Sequence, residues 1–324
     1  MVQPPYGGVQ PPYGGIPPVS PYYRAMAPKP GCIPLRPLDV GEILTGALDA
    51  IRRNARIVLG LSAAAAVIQA VIALIVQRYA NLEGGRAIDQ SDPANPQVYW
   101  GQLAKVLGNT LGLSLLGSIF AAVLTGMVVV VVTEDVVGRR AGLELVWSKV
   151  RSRIWRLILL SLLVGVLSAV GLVLCLAPGI WLWGIWAVAV PALIIENRGI
   201  GQALRRSQNL VRGTFWRVWG IRALGFGITL ALGGVVSAVV GAIAGAVTGD
   251  QPASLLGTGA GSLSWAYLLI SAVGTALVVA LTAPFQASLD SLLYVDLRMR
   301  KEQLALDLQQ AAATVRQPPP TQYS

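Results

Sequence analysis

Positive charge in this chain alternates across long uncharged runs. From the N-terminus, the segments separated by six such runs carry six, three, six, no, six, no and four Lys or Arg residues. Loops rich in Lys and Arg stay on the cytoplasmic side of a membrane. The pattern therefore predicts a chain that crosses a membrane six times, with both termini in the cytoplasm.

The composition agrees with a lipid environment. Hydrophobic residues make up 54% of the chain and charged residues 12%, whereas about a quarter of a soluble domain is charged. The net charge of +10 comes from residues that border the apolar runs, where anionic headgroups lie. We therefore expect membrane lipids as partners and do not expect nucleic-acid binding.

The uncharged runs have the length of membrane-spanning helices. The run from Leu157 to Ile195 has 39 residues, about 58 Å as one helix and nearly twice the hydrocarbon core, so a fold-back is predicted at Pro178-Gly179. The predicted spans are Ile57–Gln77, Leu111–Val132, Leu157–Leu176, Ile180–Ile195, Ala223–Val247 and Leu263–Ala283. Three tryptophans are expected at the outer interface, where indoles accumulate: Trp181, Trp183 and Trp186.

Amphipathic segments precede the first, third and fifth spans. The first begins with Asp39 and Glu42, which resemble a capping box, and aligning Gly41 with Gly201 places Arg52 opposite Arg212. The expected fold class is thus an all-α integral membrane protein with three transmembrane hairpins, each preceded by an interfacial amphipathic helix. The alternative is that any junction between a loop and a span is basic and amphipathic.

Basic residues on these segments are candidates for lipid-headgroup contact. If the apolar stripe of each helix faces the membrane, the guanidinium groups project toward phosphates. The alternative is that they only orient the chain during insertion. The candidates are Arg52, Arg53, Arg56, Arg151, Arg153, Arg156, Arg205, Arg206 and Arg212.

The termini differ in composition from the membrane domain. Two copies of a Pro-Pro-Tyr-Gly-Gly heptad, Gln3–Val9 and Gln10–Ile16, cannot build a core. We expect a disordered cytoplasmic arm at 1–37, a six-helix membrane domain at 38–311 and a disordered tail at 312–324. The Pro-rich tails either bind unknown partner proteins or serve as tethers.

The sequence lacks most catalytic chemistry. It contains no histidine, which removes the commonest general base and metal ligand; no enzyme activity, cofactor or metal site is expected. Acidic residues near the span ends are interpreted as structural rather than as ligands: Glu134, Asp135, Glu196 and Asp290. The two cysteines, Cys32 and Cys175, are expected to be inert.

Small residues recur every fourth position in the fifth span, at Gly233, Ser237, Gly241 and Gly245. Such a stripe allows two helices to approach closely. It is predicted to pack inside the bundle, with a homo-oligomer interface as the alternative.

Several motifs resemble the membrane-domain family named after glycerophosphoryl diester phosphodiesterases. They are Arg36–Leu44, Ala177–Ile180 through Pro191–Leu193, Ala203–Ser207 with Gly213–Trp216, and Ala283–Phe285 with Leu293–Arg298. The resemblance covers roughly residues 34–310, and the arm is similar to that of proline- and glycine-rich transmembrane proteins of actinobacterial type. The phosphodiesterase domain of some relatives has no counterpart here, so the resemblance implies a membrane domain and no hydrolase activity.

The expected function is that of a non-catalytic plasma-membrane protein that organises lipids or partner proteins through basic interfacial helices and disordered tails. A transporter or channel for a small or lipidic molecule is the first alternative. It would need a polar track formed by Gln69, Thr125, Ser161, Ser168, Thr229 and Ser271. The second alternative, a membrane subunit that assists a phospholipid phosphodiesterase, rests on the resemblance alone.

Overall fold

The computed structural model describes residues 29–88, 96–174, 176–249 and 264–302. Within these residues the chain is helical and forms no strand, which confirms the all-α prediction. The helices of the described part are α1 Val40–Arg53, α2 Ala55–Ile88, α3 Pro96–Val136, α4 Leu143–Arg151, α5 Ile154–Leu174, α6 Leu176–Ile185, α7 Ala189–Ile195, α8 Ile200–Val211, α9 Phe215–Thr248 and α10 Trp265–Glu302.

Four helices are long and apolar enough to cross a membrane: α2, α3, α9 and α10. They correspond to the first, second, fifth and sixth predicted spans. The third and fourth predicted spans contain shorter apolar stretches, Ile154–Ser168 and Gly179–Ile195. Length and composition thus indicate a membrane protein with at least these four spans in the described part of the chain.

The long helices extend beyond the predicted spans. The 34 residues of α2 and the 41 of α3 correspond to about 50 and 60 Å, against a hydrocarbon core of about 30 Å. The predicted limits were set by charged residues, such as Arg78 after the first span. A charged side chain ends an apolar run, but straight-chain charged residues are good helix formers and do not end a helix.

Pro178 and Gly179 are the third and fourth residues of α6, Leu176–Ile185, so the helix is not interrupted at these two residues. Residue 175, between α5 and α6, lies outside the described residues, so the position of the fold-back stays a prediction. Proline is tolerated in the first turn of a helix, where its missing N–H would have no intrahelical acceptor. A turn at 186–188 separates α6 from α7.

The three predicted amphipathic helices are present as α1, α4 and α8, each followed within a few residues by a longer apolar helix. The chain distance between the starts of α1 and α8, Val40 and Ile200, equals that between the starts of α2 and α9, Ala55 and Phe215. The alignment of Gly41 with Gly201 therefore corresponds to equivalent helix positions.

The apolar stripes of α1, α4 and α8 pack against the protein itself. Ile43 and Ala47 of α1, Val146 of α4, and Leu210 and Val211 of α8 are buried in one core. The expectation that these stripes face the membrane is wrong for these residues. Burial in a packed core stabilises a short amphipathic helix more than contact with lipid does. Protein interiors are densely packed, so the apolar side chains make more van der Waals contacts there.

The centre of this core is the second half of α10. Nearly every residue from 284 to 299 is buried, including Asp290 and Asp296, and α10 contacts α1, α2, α3 and α9. By contrast, α9 and the first half of α10 expose many large apolar side chains, among them Leu230, Val235 and Val273. We call the end that contains α1, α4, α8 and residues 285–302 the basic end.

Residues 30–38 also belong to the core. Cys32, Ile33, Leu35 and Leu38 are each at most 2% exposed. The predicted boundary of the disordered arm at residue 37 is therefore wrong for this stretch, because four closely spaced side chains of this segment fill the space between the helices. The heptads and the C-terminal tail lie outside the described residues.

Candidate functional site at the basic end

A buried aspartate joins three parts of the chain. Asp296 accepts a hydrogen bond from the backbone N–H of Leu38 at 2.8 Å and from Arg300 Nε at 2.9 Å, and Arg217 Nη2 lies 3.3 Å away. Both Arg217 and Arg300 also donate to the carbonyl oxygen of Leu38 at 2.6 Å. The segment before α1 is thus attached to α9 and α10 through one carboxylate.

A second buried carboxylate, that of Asp290 in α10, pairs with Arg222 in α9. The guanidinium donates from Nε at 3.0 Å and from Nη2 at 3.2 Å to the two carboxylate oxygens. Its Nη1 donates to the carbonyl of Trp183 at 2.6 Å, and the group lies 4.6 Å from the Trp183 ring centroid. Such a fork-to-fork pair is geometrically specific, and it connects α6, α9 and α10.

This contact contradicts the predicted separation of the α6 tryptophans from the basic segments. Arg222 lies two turns into α9, close to its basic end, so Trp183 lies toward the basic end rather than at the opposite end of the bundle. Trp181 likewise adjoins α8, and Trp186 begins the interruption that leads to α7. Indole side chains favour both membrane interfaces, so their presence does not indicate which of the two they occupy. The packing of α6 against α8 decides this, and it is a feature of the tertiary structure.

Glu196 is the centre of a third cluster. Its carboxylate accepts hydrogen bonds from Tyr294 Oη at 2.6 Å, from Arg206 Nε at 2.8 Å and from Arg198. Arg206 also pairs with Glu302. Burial alone raises the pKa of Glu196, but these hydrogen bonds outweigh burial and hold the pKa below its usual value.

Asp135 and Glu134 are paired as well. Asp135 is 1% exposed and accepts from Arg53 Nε at 3.0 Å, whereas Glu134 accepts from Lys149 Nζ at 2.7 Å. All four acids interpreted as structural thus have a cationic partner within the chain. Burial and the neighbouring Asp135 carboxylate raise the pKa of the Cys32 thiol, which keeps it protonated; Cys175 lies outside the described residues.

The nine candidate arginines fall into two groups. The side chains of Arg53, Arg153 and Arg206 bind other parts of the chain. Those of Arg53 and Arg206 form the pairs described above, and that of Arg153 donates to Asn197 Oδ1 at 2.9 Å and to the carbonyl of Ile194 at 2.8 Å. The other six are exposed, and their side chains make no hydrogen bond or ion pair with the described residues. We call them the free arginines: Arg52, Arg56, Arg151, Arg156, Arg205 and Arg212.

Exposed tryptophans accompany the free arginines. Trp155 and Trp216 are each the second residue of the long helix that follows an amphipathic helix, and they are 76% and 78% exposed. Trp147 of α4 is 48% exposed. An indole exposed beside a guanidinium is the combination found where a membrane protein meets headgroups.

The predicted small-residue stripe lies only partly in a helix contact. A Cβ added to Gly233 would lie 3.1 Å from Val278 of α10, but one added to Gly241 would have no neighbour within 4 Å, and Ser237 is exposed. Gly245 is partly buried. Gly225 and Gly274, which are not part of the stripe, also lie in close helix contacts, so the packing role of the whole stripe stays a prediction.

The residues proposed for a polar track do not line either of two cavities at the basic end. The hydroxyl groups of Thr229 and Ser271 instead donate to carbonyl oxygens of their own helices, those of Phe226 and Tyr267. Within the described residues, no three His, Cys, Asp or Glu side chains are grouped as metal ligands.

The structural role of Asp296 was not predicted from the sequence. A signal was available: Asp290 and Asp296 are the only charged residues between Pro284 and Leu297, an otherwise largely apolar helical stretch. An acid surrounded by apolar residues on every side of a helix is expected to be buried and paired.

Comparisons of the chain with protein-family models, with curated proteins and with solved structures gave no match. The resemblance drawn from the motifs therefore stays a prediction.

Proposed function

We propose that this chain is a non-catalytic plasma-membrane protein that binds anionic lipid headgroups through its basic end. In this proposal the chain makes six crossings as three hairpins, and the basic end faces the cytoplasm. The observation that carries it is the set of six free arginines, which are exposed at the same end of the protein as Trp147, Trp155 and Trp216 and whose side chains lack partners in the described part of the chain.

Energetics favour lipid as the partner of these residues. A basic residue near an anionic leaflet contributes about 1 kcal/mol, attenuated by salt. The buried acids at this end, Asp135, Asp290 and Asp296, already pair with cations of the chain, so an external anion can serve as the counter-charge of the free arginines. The exposed indoles supply the amphipathic contact that an interface favours.

The transporter alternative gains no support from the two cavities at the basic end, whose linings do not include the side chains of the predicted polar track. Assistance to a phosphodiesterase and partner binding through the tails rest on the resemblance and on composition, respectively. Neither gains support from the geometry of the described residues.

The test is vesicle binding of the full chain reconstituted in nanodiscs of zwitterionic lipid. Five free arginines are replaced by glutamine: Arg52, Arg56, Arg151, Arg156 and Arg205. Arg212 is kept because it lines a separate groove, and Arg53, Arg153 and Arg206 are kept because they pair internally. We expect the variant to lose most of its salt-dependent binding to phosphatidylglycerol-containing vesicles.

The matched control replaces the same five residues by lysine, which preserves charge. The lysine variant should bind nearly as well as the unmodified chain, and both variants should elute at the same position in size-exclusion chromatography. Equal vesicle binding by the glutamine variant and the unmodified chain would reject the proposal and leave orientation during insertion as the role of these arginines.

A further inference from the structure

We propose that a groove between α6 and α8 holds one anionic glycerophospholipid in a defined position. Its phosphate would lie at Arg212, with the amides of Gln208 and Asn209 beside it, and an acyl chain would follow Trp181, Ile185 and Phe215. This inference deepens the proposed function, on which it rests, from general attraction to a single site.

The groove has the size of a ligand site. It encloses about 420 Å³ between the last turn of α6, the C-terminal half of α8 and the first residue of α9, and small-molecule sites usually fall between about 300 and 1,000 Å³. Phospholipids are larger than such a volume. The groove therefore fits the headgroup and the first part of one chain, while the remainder of the lipid stays in the bilayer.

The walls of the groove have opposite chemistry. One wall consists of Trp181, which is 51% exposed, and of the partly buried Ile185 and Phe215. The other wall consists of Gln208, Asn209 and Arg212, whose side chains make no hydrogen bond within the described residues. An amphipathic ligand satisfies both walls, whereas a free inorganic anion would leave the aromatic wall uncovered.

The polar wall is electrostatically suited to an anion. The C-terminal end of α8 carries partial negative charge, and Lys301 of α10 offsets it by donating to the carbonyl oxygens of Asn209 and Arg212 at 2.9 and 2.6 Å. Phe215 begins the 34-residue helix α9, whose first turn carries partial positive charge. None of the residues that line the groove is acidic.

Contacts around the groove hold its walls in place. Ser207 Oγ donates to the carbonyl of Ile185 at 2.8 Å, which ties α8 to the end of α6. A Cβ added to Gly184 would lie 2.7 Å from the Phe215 ring, so only glycine allows α6 to approach α9 this closely. The chain turns from α8 into α9 at Gly213, with φ of 85°. A preformed site of this kind loses little freedom on binding.

The test uses the full chain purified from membranes and placed in mixed vesicles of phosphatidylcholine and phosphatidylglycerol. After extraction in mild detergent at high salt, native mass spectrometry counts the retained lipids. We expect one phosphatidylglycerol to remain on the unmodified chain. Two variants change the groove. R212Q removes its cation, and N209W fills the space between its walls.

The matched control is R140Q, because Arg140 is exposed, does not line the groove and is not one of the free arginines. R212Q and N209W should each lower the retained phosphatidylglycerol about tenfold, the size expected for losing a charged hydrogen bond, whereas R140Q should retain it. Equal retention in R140Q and R212Q, or full retention in N209W, would overturn the proposal.

A second measurement identifies the acyl chain. Phosphatidylglycerol with a photoreactive group on its acyl chain should label peptides that contain Trp181–Ile185 or Phe215, and labelling confined to other helices would also overturn the proposal. The two proposals can fail separately. Loss of the retained lipid in R212Q, with normal vesicle binding by the five-glutamine variant, would reject the general headgroup proposal and keep the groove.

Discussion

At the scale of single residues, carboxylates determine how the basic end is assembled. Asp296 is 0% exposed and receives the Leu38 N–H together with two guanidinium groups. Removing one member of a buried charged cluster costs more than the cluster contributes as a whole, because the remaining charges lose their counter-charge in a medium of low dielectric.

We therefore expect Asp296→Asn to lower stability by about 3 kcal/mol and to release the segment before α1. In a Cys175→Ser background, Cys32 is the remaining native thiol and is 2% exposed. Labelling of Cys32 by a thiol reagent in detergent should accelerate in the variant, together with a lower apparent melting temperature. Asp49→Asn is the control, since Asp49 forms an exposed pair with Lys29; similar effects from both variants would contradict this assignment.

At the scale of helices, α9 and α10 approach closely at Gly225, Gly233 and Gly274, and of these three only Gly233 belongs to the predicted stripe. A Cβ on Gly274 would lie 2.5 Å from Val240 Cγ1, and one on Gly225 would lie 3.1 Å from Leu289. Valine is stiff because it branches at Cβ, so it cannot move away without shifting the helix. The register of the contact follows from the crossing of the two helices, which a four-residue period in α9 alone does not specify.

This contact predicts opposite outcomes for two glycine substitutions. Gly274→Ala should destabilise the protein by about 1–3 kcal/mol through overpacking. Gly241→Ala should leave stability unchanged or raise it, because its added methyl group meets no atom within 4 Å and alanine favours the helix. Apparent melting temperatures in one detergent compare the two. A larger decrease for Gly241→Ala would indicate that this face packs against a second copy of the chain.

At the scale of the whole molecule, the two ends differ in packing and in surface exposure. The basic end is a packed core crossed by ion pairs, whereas α9 and the first half of α10 expose apolar side chains along most of their length. An exposed apolar surface of this extent is stable in lipid and unstable in water. The packed basic end holds its charged groups in a fixed geometry, and the apolar end provides the surface suited to lipid.

Topology is predicted to place the basic end in the cytoplasm. In a chain without native cysteines, single cysteines at Asp92 and Asp250, which lie outside the described residues, should react with an impermeant thiol reagent in intact cells. Cysteines at Arg140 and Arg205 should react only after lysis. Labelling of Arg140 and Arg205 positions in intact cells would overturn the orientation, and labelling of Asp92 but not Asp250 would overturn the number of crossings.

The amphipathic helices show how far the sequence could be interpreted. The pairing of Asp39 with Glu42 was predictable because both lie within one turn, and the Asp39 N–H donates to Glu42 Oε2 at 2.9 Å. The burial of Ile43 and Ala47 was also predictable from their spacing, but the surface that covers them was not. Helical periodicity identifies an apolar face without stating whether lipid or protein covers it.

The sequence by itself determined the properties that depend on neighbouring residues: the helices, the apolar runs, the amphipathic segments and the alternation of charge. The tertiary structure alone decided which charged groups are left for an external partner. Arg205 and Arg206 are adjacent, yet Arg205 is exposed without a partner in the described chain whereas Arg206 pairs with Glu196 and Glu302. The partners lie 10 and 96 residues away, and contacts at such separations depend on how helices pack, which no local pattern encodes.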